Sequence, residues 1–399
     1  MDPATLSDAI HSSTARSLVA QVRYFSSTPP TWIPGLDTLL DAAPNLHLHR
    51  GDLVELQGLP GTAKSSLLLH LAATALLPRT AHVPIADTVL AVPVAGKELH
   101  VAWLDCTPAR FDLDRLAALV RHHLDLAIRR FRAPRGIGAP RDSELDALVD
   151  ECMTRLTVFT PTSTLQLAAT LRGLPRWASA HTADELGYVL IDGMSEFAWA
   201  DQHAAATATG GPTAPPVRLV LDALSHLRAT LSPLVFLTQW VFRPAAVLAH
   251  KSQEGLPFYA HHYPPSHWPS ILSPARPPPP PPAPSDPRRP LDPPQASPPG
   301  PTASGRPAPP VPVPVPLALH LTLHPSPTPP LRRGTPLALL LSEQRRRVRV
   351  REREREGPGA GTARGAVGGT EGIRCVVRRP GGAEVGSWEI EVWEREIVT

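Results

Sequence analysis

The sequence predicts an α/β fold with a mostly parallel, doubly wound sheet, followed by a proline-rich, largely disordered C-terminal region. Three observations carry this. Between residues 50 and 240, five nearly continuous apolar runs alternate with longer amphipathic ones. A glycine-rich stretch joins the first run to the helical pattern behind it. The chain also holds 51 prolines, concentrated after residue 255, and proline is excluded from helix interiors and central strands alike.

In chain order, "LVELQG" (Leu53–Gly58), "LHVAWLDC" (Leu99–Cys106), "LTVFTP" (Leu156–Pro161), "YVLIDGM" (Tyr188–Met194) and "LVFLTQW" (Leu234–Trp240) read as strands. Uninterrupted apolar character is what a parallel sheet covered on both faces requires. Helical patterns begin at Lys64 and cover Asp112–Phe131, Ser163–Ala180 and Val217–Thr230. The alternation implies βαβ units. "RAPRGIGAPRD" (Arg132–Asp142) reads as a flexible loop interrupting a helical segment, and "AAATATGGPTAPP" (Ala204–Pro216) as one directly after the fourth strand.

From about Leu256 the composition permits only polyproline-like or disordered chain. Beyond it, "LALHLTLH" (Leu317–His324) alternates with period two, and "IRCVVRRPGGAEVGSWEIEVWERE" (Ile373–Glu396) reads as two strands around a Pro-Gly-Gly turn. Either these pieces return to the sheet edge, making the proline-rich stretch a long insertion, or they are isolated patches in a disordered tail. The expected organisation is a flexible N-terminus over 1–30, an α/β core over 31–255, a linker or insertion over 256–315 and a low-order basic region over 316–399.

A formal charge of +3 and a pI near 9.0 accommodate a nucleic-acid partner without demanding one. Cys106, Cys152 and Cys375 lie too far apart for a zinc module or disulfide framework of the usual kind. "MDPATLSDAI" lacks the basic and apolar blocks of a secretory signal, and no run of about 18 apolar residues occurs to span a membrane. A soluble intracellular protein is expected.

"GLPGTAKSS" (Gly58–Ser66) follows the pattern Gly, four residues, Gly-Lys-Ser/Thr except at Ala63, which replaces the second glycine. Such a loop holds phosphate because successive backbone N–H groups curl around its oxygens at a helix N-terminus. The lysine, here Lys64, adds a charge, and the hydroxyl, here Ser65, ligates Mg2+. An alanine at 63 costs little near helical dihedrals and more if φ must be positive. Asp192 ends the fourth apolar run, where a carboxylate holds Mg2+ beside the loop. A chance glycine-rich turn would not bring that second motif with it. Hydrolysis further needs a group to orient water. Asp105 ends the second strand with no glutamate after it, Gly193 follows Asp192, and Glu196 reads as a solvated helix residue. Slow or absent turnover is therefore expected.

These segments, together with "GLDTLLD" (Gly35–Asp41), "VAWLDCTPARFDLDRL" (Val101–Leu116) and "YVLIDGMSEFAWAD" (Tyr188–Asp201, with the aromatic pair Phe197 and Trp199), resemble the ATPase core of the RecA-type recombinase paralogues over roughly residues 30–245. The resemblance implies a RecA-like P-loop core with ATP on Gly58, Leu59, Pro60, Gly61, Thr62, Ala63, Lys64, Ser65 and Ser66, and Mg2+ on Ser65 and Asp192. It places Gln239 as a γ-phosphate sensor leading into a DNA-facing loop, and Thr107 where active recombinases carry a catalytic glutamate. The short stretch before the core leaves no separate helical DNA-binding domain expected. The resemblance further implies a nuclear role in homologous recombination: a hetero-oligomer with other recombinase paralogues, assisting the recombinase filament on single-stranded or branched DNA, directly or through the complex. No membrane is implied.

The segments after Asp192 and Gln239 occupy the places of the family's two DNA loops. The second mixes Arg243 and Lys251 with Phe258, Tyr259, Tyr263 and Trp268, a combination that tracks phosphates and stacks bases or is plain linker. His261, His262 and His267 lack partners at metal-ligand spacing. Arg345–Arg351 is basic enough for nuclear import or phosphate contact, while the Arg-Glu alternation after it suits a self-paired solvated helix or coil. The proline tract offers SH3-type ligands or serves as a spacer.

Overall fold

The computed structural model describes residues 30–42, 48–85, 88–108, 111–181, 185–207, 215–242, 260–263, 317–324, 373–379, 384–392 and 397–398. Apart from 260–263, where Ala260–His261 form a short strand in place of the disorder expected, the linker lies outside them, as do the basic run Arg345–Arg351, His267, most of both loops following Asp192 and Gln239, and nearly all of 1–30.

The sheet is built from β1 (Leu53–Gly58), β4 (His100–Asp105), β5 (Leu156–Phe159), β6 (Leu186–Asp192), β7 (Leu234–Phe242), the short β8 (Ala260–His261), β9 (Leu317–His324), β10 (Ile373–Arg378), β11 (Glu384–Val392) and β12 (Ile397–Val398). Its order is β12-β11-β10-β9-β1-β7-β6-β4-β5, with β8 on β7. From β9 to β5 every pairing is parallel. The strands beyond β9, and β8, are antiparallel.

Strand alternation divides the core into two layers. On β4, Val101 and Trp103 pack with α2 (Lys64–Leu76), α3 (Leu113–Arg132) and α4 (Asp142–Met153). Ala102 and Leu104 face α5 (Thr164–His181) and α7 (Val217–Thr230) on the other side. Helices thus cover both faces of the parallel sheet, the arrangement that its largely apolar strands require.

The C-terminal pieces are part of this sheet. β9 lies parallel to β1, where His320 Nδ1 meets Glu55 Oε2 at 3.0 Å with both side chains buried. Arg378 on β10 donates to Thr322 Oγ1 at 2.6 Å. From the other end of the chain, α1 (Pro34–Ala42) packs so closely on β11 that a Cβ on Gly35 would lie 2.5 Å from the Trp388 ring. The turn between β10 and β11 falls outside the described residues.

Two elements depart from the sequence reading, while Arg132–Asp142 interrupts a helical segment as expected. A separate antiparallel hairpin, β2 (Thr80–Ile85) and β3 (Thr88–Pro93), lies off the main sheet. Its half-exposed strands, broken by Pro84 and ending at Pro93, lack the continuous apolar signal. After β6 comes a 3-10 turn (Met194–Phe197) and then α6 (Ala198–Thr207), so Ala204–Thr207 are helical and the loop does not follow β6 directly. Alanine is the strongest helix former, which explains the extension. The Arg132–Asp142 stretch begins inside α3, forms a 3-10 turn at Ala133–Arg135 and hands over to α4. No helix among the described residues is long and apolar enough to cross a membrane.

His70 on α2 and His123 on α3 meet edge to face, 5.6 Å apart. Burial lowers both imidazoles from 6.5 to about 4. The folded chain therefore refuses protons that the unfolded chain accepts below its ordinary pKa. The stability that these two groups contribute is complete above about pH 6.5, declines as pH falls towards 4 and levels off below it. The urea midpoint is expected to drop between pH 7 and pH 5, and His123→Phe to flatten that limb. An unchanged midpoint over this range would refute the assignment.

Candidate functional site

β1 delivers Gly58 to the carboxyl edge of the sheet, and α2 begins six residues later at Lys64. The intervening turn is closed by Thr62, whose N–H and Oγ1 both donate to Leu59 O, at 3.3 and 2.9 Å. Gly58 has no room for a side chain: a Cβ would lie 2.4 Å from Thr62 Oγ1 and 2.8 Å from Leu323 O. Gly61 has open space but sits at φ +78°. Ala63 is also left-handed, at φ 57° and ψ 21°. This is the costly case for a residue with a Cβ, on the order of 1–2 kcal/mol relative to the right-handed region.

Lys64 is buried, and its ammonium donates to Gly58 O at 2.9 Å and Leu59 O at 2.8 Å. Burial lowers its pKa to about 8, against the opposing charges of Asp192 and Glu196. Ser65 Oγ donates to Asp192 Oδ1 at 3.0 Å. Thr238 on β7 donates to the same oxygen at 2.7 Å and accepts from the Gly193 N–H at 2.7 Å. Burial raises the Asp192 carboxyl, while the hydrogen bonds from Thr238 and Ser65 pull it the other way. Asp105 is the register partner of Asp192 on the adjacent strand. Thr107 Oγ1 donates to Asp105 Oδ1 at 2.6 Å and the Thr107 N–H reaches the same oxygen at 3.1 Å.

These groups border a cleft of about 400 Å³, within the range of small-ligand sites. Its lining includes the polar groups of Lys64, Ser65, Asp105 and Asp192 and the apolar side chains of Leu69, Trp103, Phe111 and Trp240. The Trp103 and Phe111 ring centroids are 4.7 Å apart. Arg115 donates from Nη2 to Ser66 Oγ at 2.9 Å, tying the start of α3 to the first turn of α2. The unpaired N–H groups of that first turn, the buried ammonium and a hydroxyl–carboxylate pair of hard oxygen donors fit a phosphate ester with a divalent cation.

The structure brings Gly61, Ala63, Lys64, Ser65, Ser66, Asp105, Thr107 and Asp192 to this one cleft. Gly58, Leu59, Pro60 and Thr62 form the turn that carries them. Gln239 is not brought there. It is fully buried on β7 beside Gln57 of β1, and alternation turns it away from the face on which Thr238 meets Asp192 and Trp240 lines the cleft. Glu196 does not stand on a solvated helix. It lies in the 3-10 turn, half-buried, with its carboxyl raised by burial and by Asp192. Tyr263 is not an exposed stacking ring: it is buried and its hydroxyl donates to Met194 O at 3.3 Å. Phe197 packs against the α5–α7 layer, whereas Trp199 is 65% exposed. Thr238, Trp103, Phe111 and Arg115 went unread in the sequence; only Thr238, a hydroxyl in a largely apolar strand, left a visible signal there.

Ala63→Gly is expected to raise stability by about 1 kcal/mol, the relief of the left-handed Cβ less the added freedom of the unfolded chain. A urea midpoint that does not move, or falls, would contradict the strained conformation.

No family model matches the chain. Over 175 residues it is 25% identical to the DNA repair protein XRCC2 of Mus musculus. The match covers 43% of this chain and 51% of the relative, so the chain spans about half the length of the curated protein that it matches. At this distance, the chain is similar to a DNA repair protein over less than half of its own length.

Proposed function

We propose that the chain is an ATP-binding, RecA-like recombinase paralogue of the nucleus, acting in double-strand break repair by homologous recombination. It works as a subunit of a paralogue complex that assists recombinase filament assembly on single-stranded DNA, with slow or absent ATP hydrolysis. One observation carries the nucleotide part: Lys64, Ser65 and Asp192 converge on one cleft at the N-terminus of α2. The similarity to a DNA repair protein supports the biological part.

In this reading, phosphate oxygens accept hydrogen bonds from the N–H groups at the start of α2, and Lys64 exchanges its loop carbonyls for them. Ser65 and Asp192 would hold Mg2+, which neutralises phosphate charge when bound. The aromatic side chains in the lining, Trp103, Phe111 and Trp240, offer the nucleoside an apolar contact. Thr107 supports slow turnover, because its neutral hydroxyl is committed to Asp105 where a base would have to orient water. Binding without rapid hydrolysis suits a nucleotide that holds an assembly together.

A second reading has its own support. Ala63 is strained and the Lys64 ammonium is already satisfied by two carbonyls, as suits a loop retained only as structure in a nucleotide-independent scaffold. Equilibrium titration with a fluorescent ATP analogue separates the two. Analogue binding is expected to depend on Mg2+, to weaken roughly 10- to 100-fold in Lys64→Ala, and to lose its Mg2+ dependence in Asp192→Asn. Absence of analogue binding by the unmodified chain would leave the scaffold reading. Co-purification from cells tests the paralogue complex: recovery without any recombinase paralogue would count against it.

A further inference from the structure

The last turn of α3 and the stretch behind it carry Arg129, Arg130, Arg132, Arg135 and Arg141, with no acidic residue between Asp125 and Asp142. Four of the five are exposed and Arg132 is half-buried. The carboxylates next to them are already engaged. Asp125 pairs with Arg129, Asp142 and Asp146 both pair with Arg121, and Glu144 accepts the Arg141 backbone N–H at 2.8 Å. Arg132 and Arg135 each donate to one backbone carbonyl, those of Ile137 and Phe131. That caps the chain leaving the helix but does not neutralise either charge. Arg135 also lies over the Phe131 ring, 4.0 Å from its centroid, so a guanidinium with five donors is held in place with most of them unspent.

The surface is remote from the cleft. α3 starts beside it, where Arg115 reaches Ser66, and Arg130 lies fifteen residues further on, about 22 Å along the helix. It therefore sits towards the amino ends of the strands, away from the loops that follow β6 and β7.

We infer that this arginine surface binds the phosphodiester backbone of DNA without reading its sequence. The planar guanidinium forks, with no lysine among them, match phosphate geometry, and a phosphate backbone answers several uncompensated charges at once. The DNA-repair reading supplies the identity of the polyanion; the nucleotide cleft plays no part in the inference. The surface would give the chain a DNA contact at the opposite pole from its nucleotide.

Fluorescence anisotropy of the full chain with a labelled 40-nucleotide strand and its duplex, from 50 to 200 mM salt, tests it. The triple change Arg130→Ala, Arg135→Ala, Arg141→Ala is expected to lower affinity at least about tenfold and to reduce the log–log salt slope by about 2 to 3, roughly 0.9 for each phosphate no longer neutralised. Binding of the fluorescent ATP analogue, measured alongside, is expected to stay unchanged. The triple Arg→Lys variant is expected to keep the slope; loss of slope there as in the alanine variant would mean a structural effect and overturn the inference. So would an unchanged slope in the alanine variant, absence of DNA binding by the unmodified chain, or poly-glutamate binding as tight as DNA, which would make this a face for an acidic protein. Failure of the ATP analogue to bind, with the DNA result intact, would remove the nucleotide reading and leave this one standing.

Discussion

The Asp192 carboxylate accepts from Ser65 at the start of α2 and from Thr238 on β7, while its backbone carbonyl takes the Cys106 N–H from the end of β4. Four strands are thereby fixed relative to one another at a single buried acid, since β1 leads directly into α2. A carboxylate taken out of water is tolerated only where hydrogen bonds and opposite charge compensate it. Here two hydroxyls and the nearby Lys64 do so. The same compensation keeps the cleft open: the polar groups need each other or a ligand, so apolar side chains cannot collapse into the space between them.

This explains why the fold was legible in the sequence and the site only partly so. β1, β4, β6 and β7 are buried on both faces, and their largely apolar runs give their positions to within two residues. The β2–β3 hairpin is exposed on one side and punctuated by proline, and so left no such trace. Lys64 and Ser65 close a glycine-containing motif of fixed spacing and Asp192 ends an apolar run, local patterns that can be read in one dimension. Arg115 and Phe111 enter the cleft only because α3 packs on α2, a fact of tertiary structure. Gln239 marks the limit of position-based reading. The resemblance names it as a sensor, and a period of two residues puts Thr238 and Trp240, not Gln239, on the cleft side.

Ala63 shows the same limit in backbone terms. The residue type said only that a methyl group replaced a hydrogen; whether that matters depends on φ, which is +57°. The loop has kept its shape against the steric preference of its own residue. Such strain persists where surrounding contacts over-determine the conformation. The Thr62–Leu59 bonds and the Lys64 ammonium on two carbonyls supply those contacts.

Leu323 presses its carbonyl against Gly58 from β9, a strand more than 250 residues later in the chain. The glycine-rich turn is thus walled by a piece of polypeptide that the ribosome makes long after the turn itself. During synthesis β1 must wait with one flank bare, and its pairing carries the slow loop closure of a distant contact. Any message cut short upstream of codon 317 would yield a chain whose glycine-rich turn is complete in sequence but has no wall behind it.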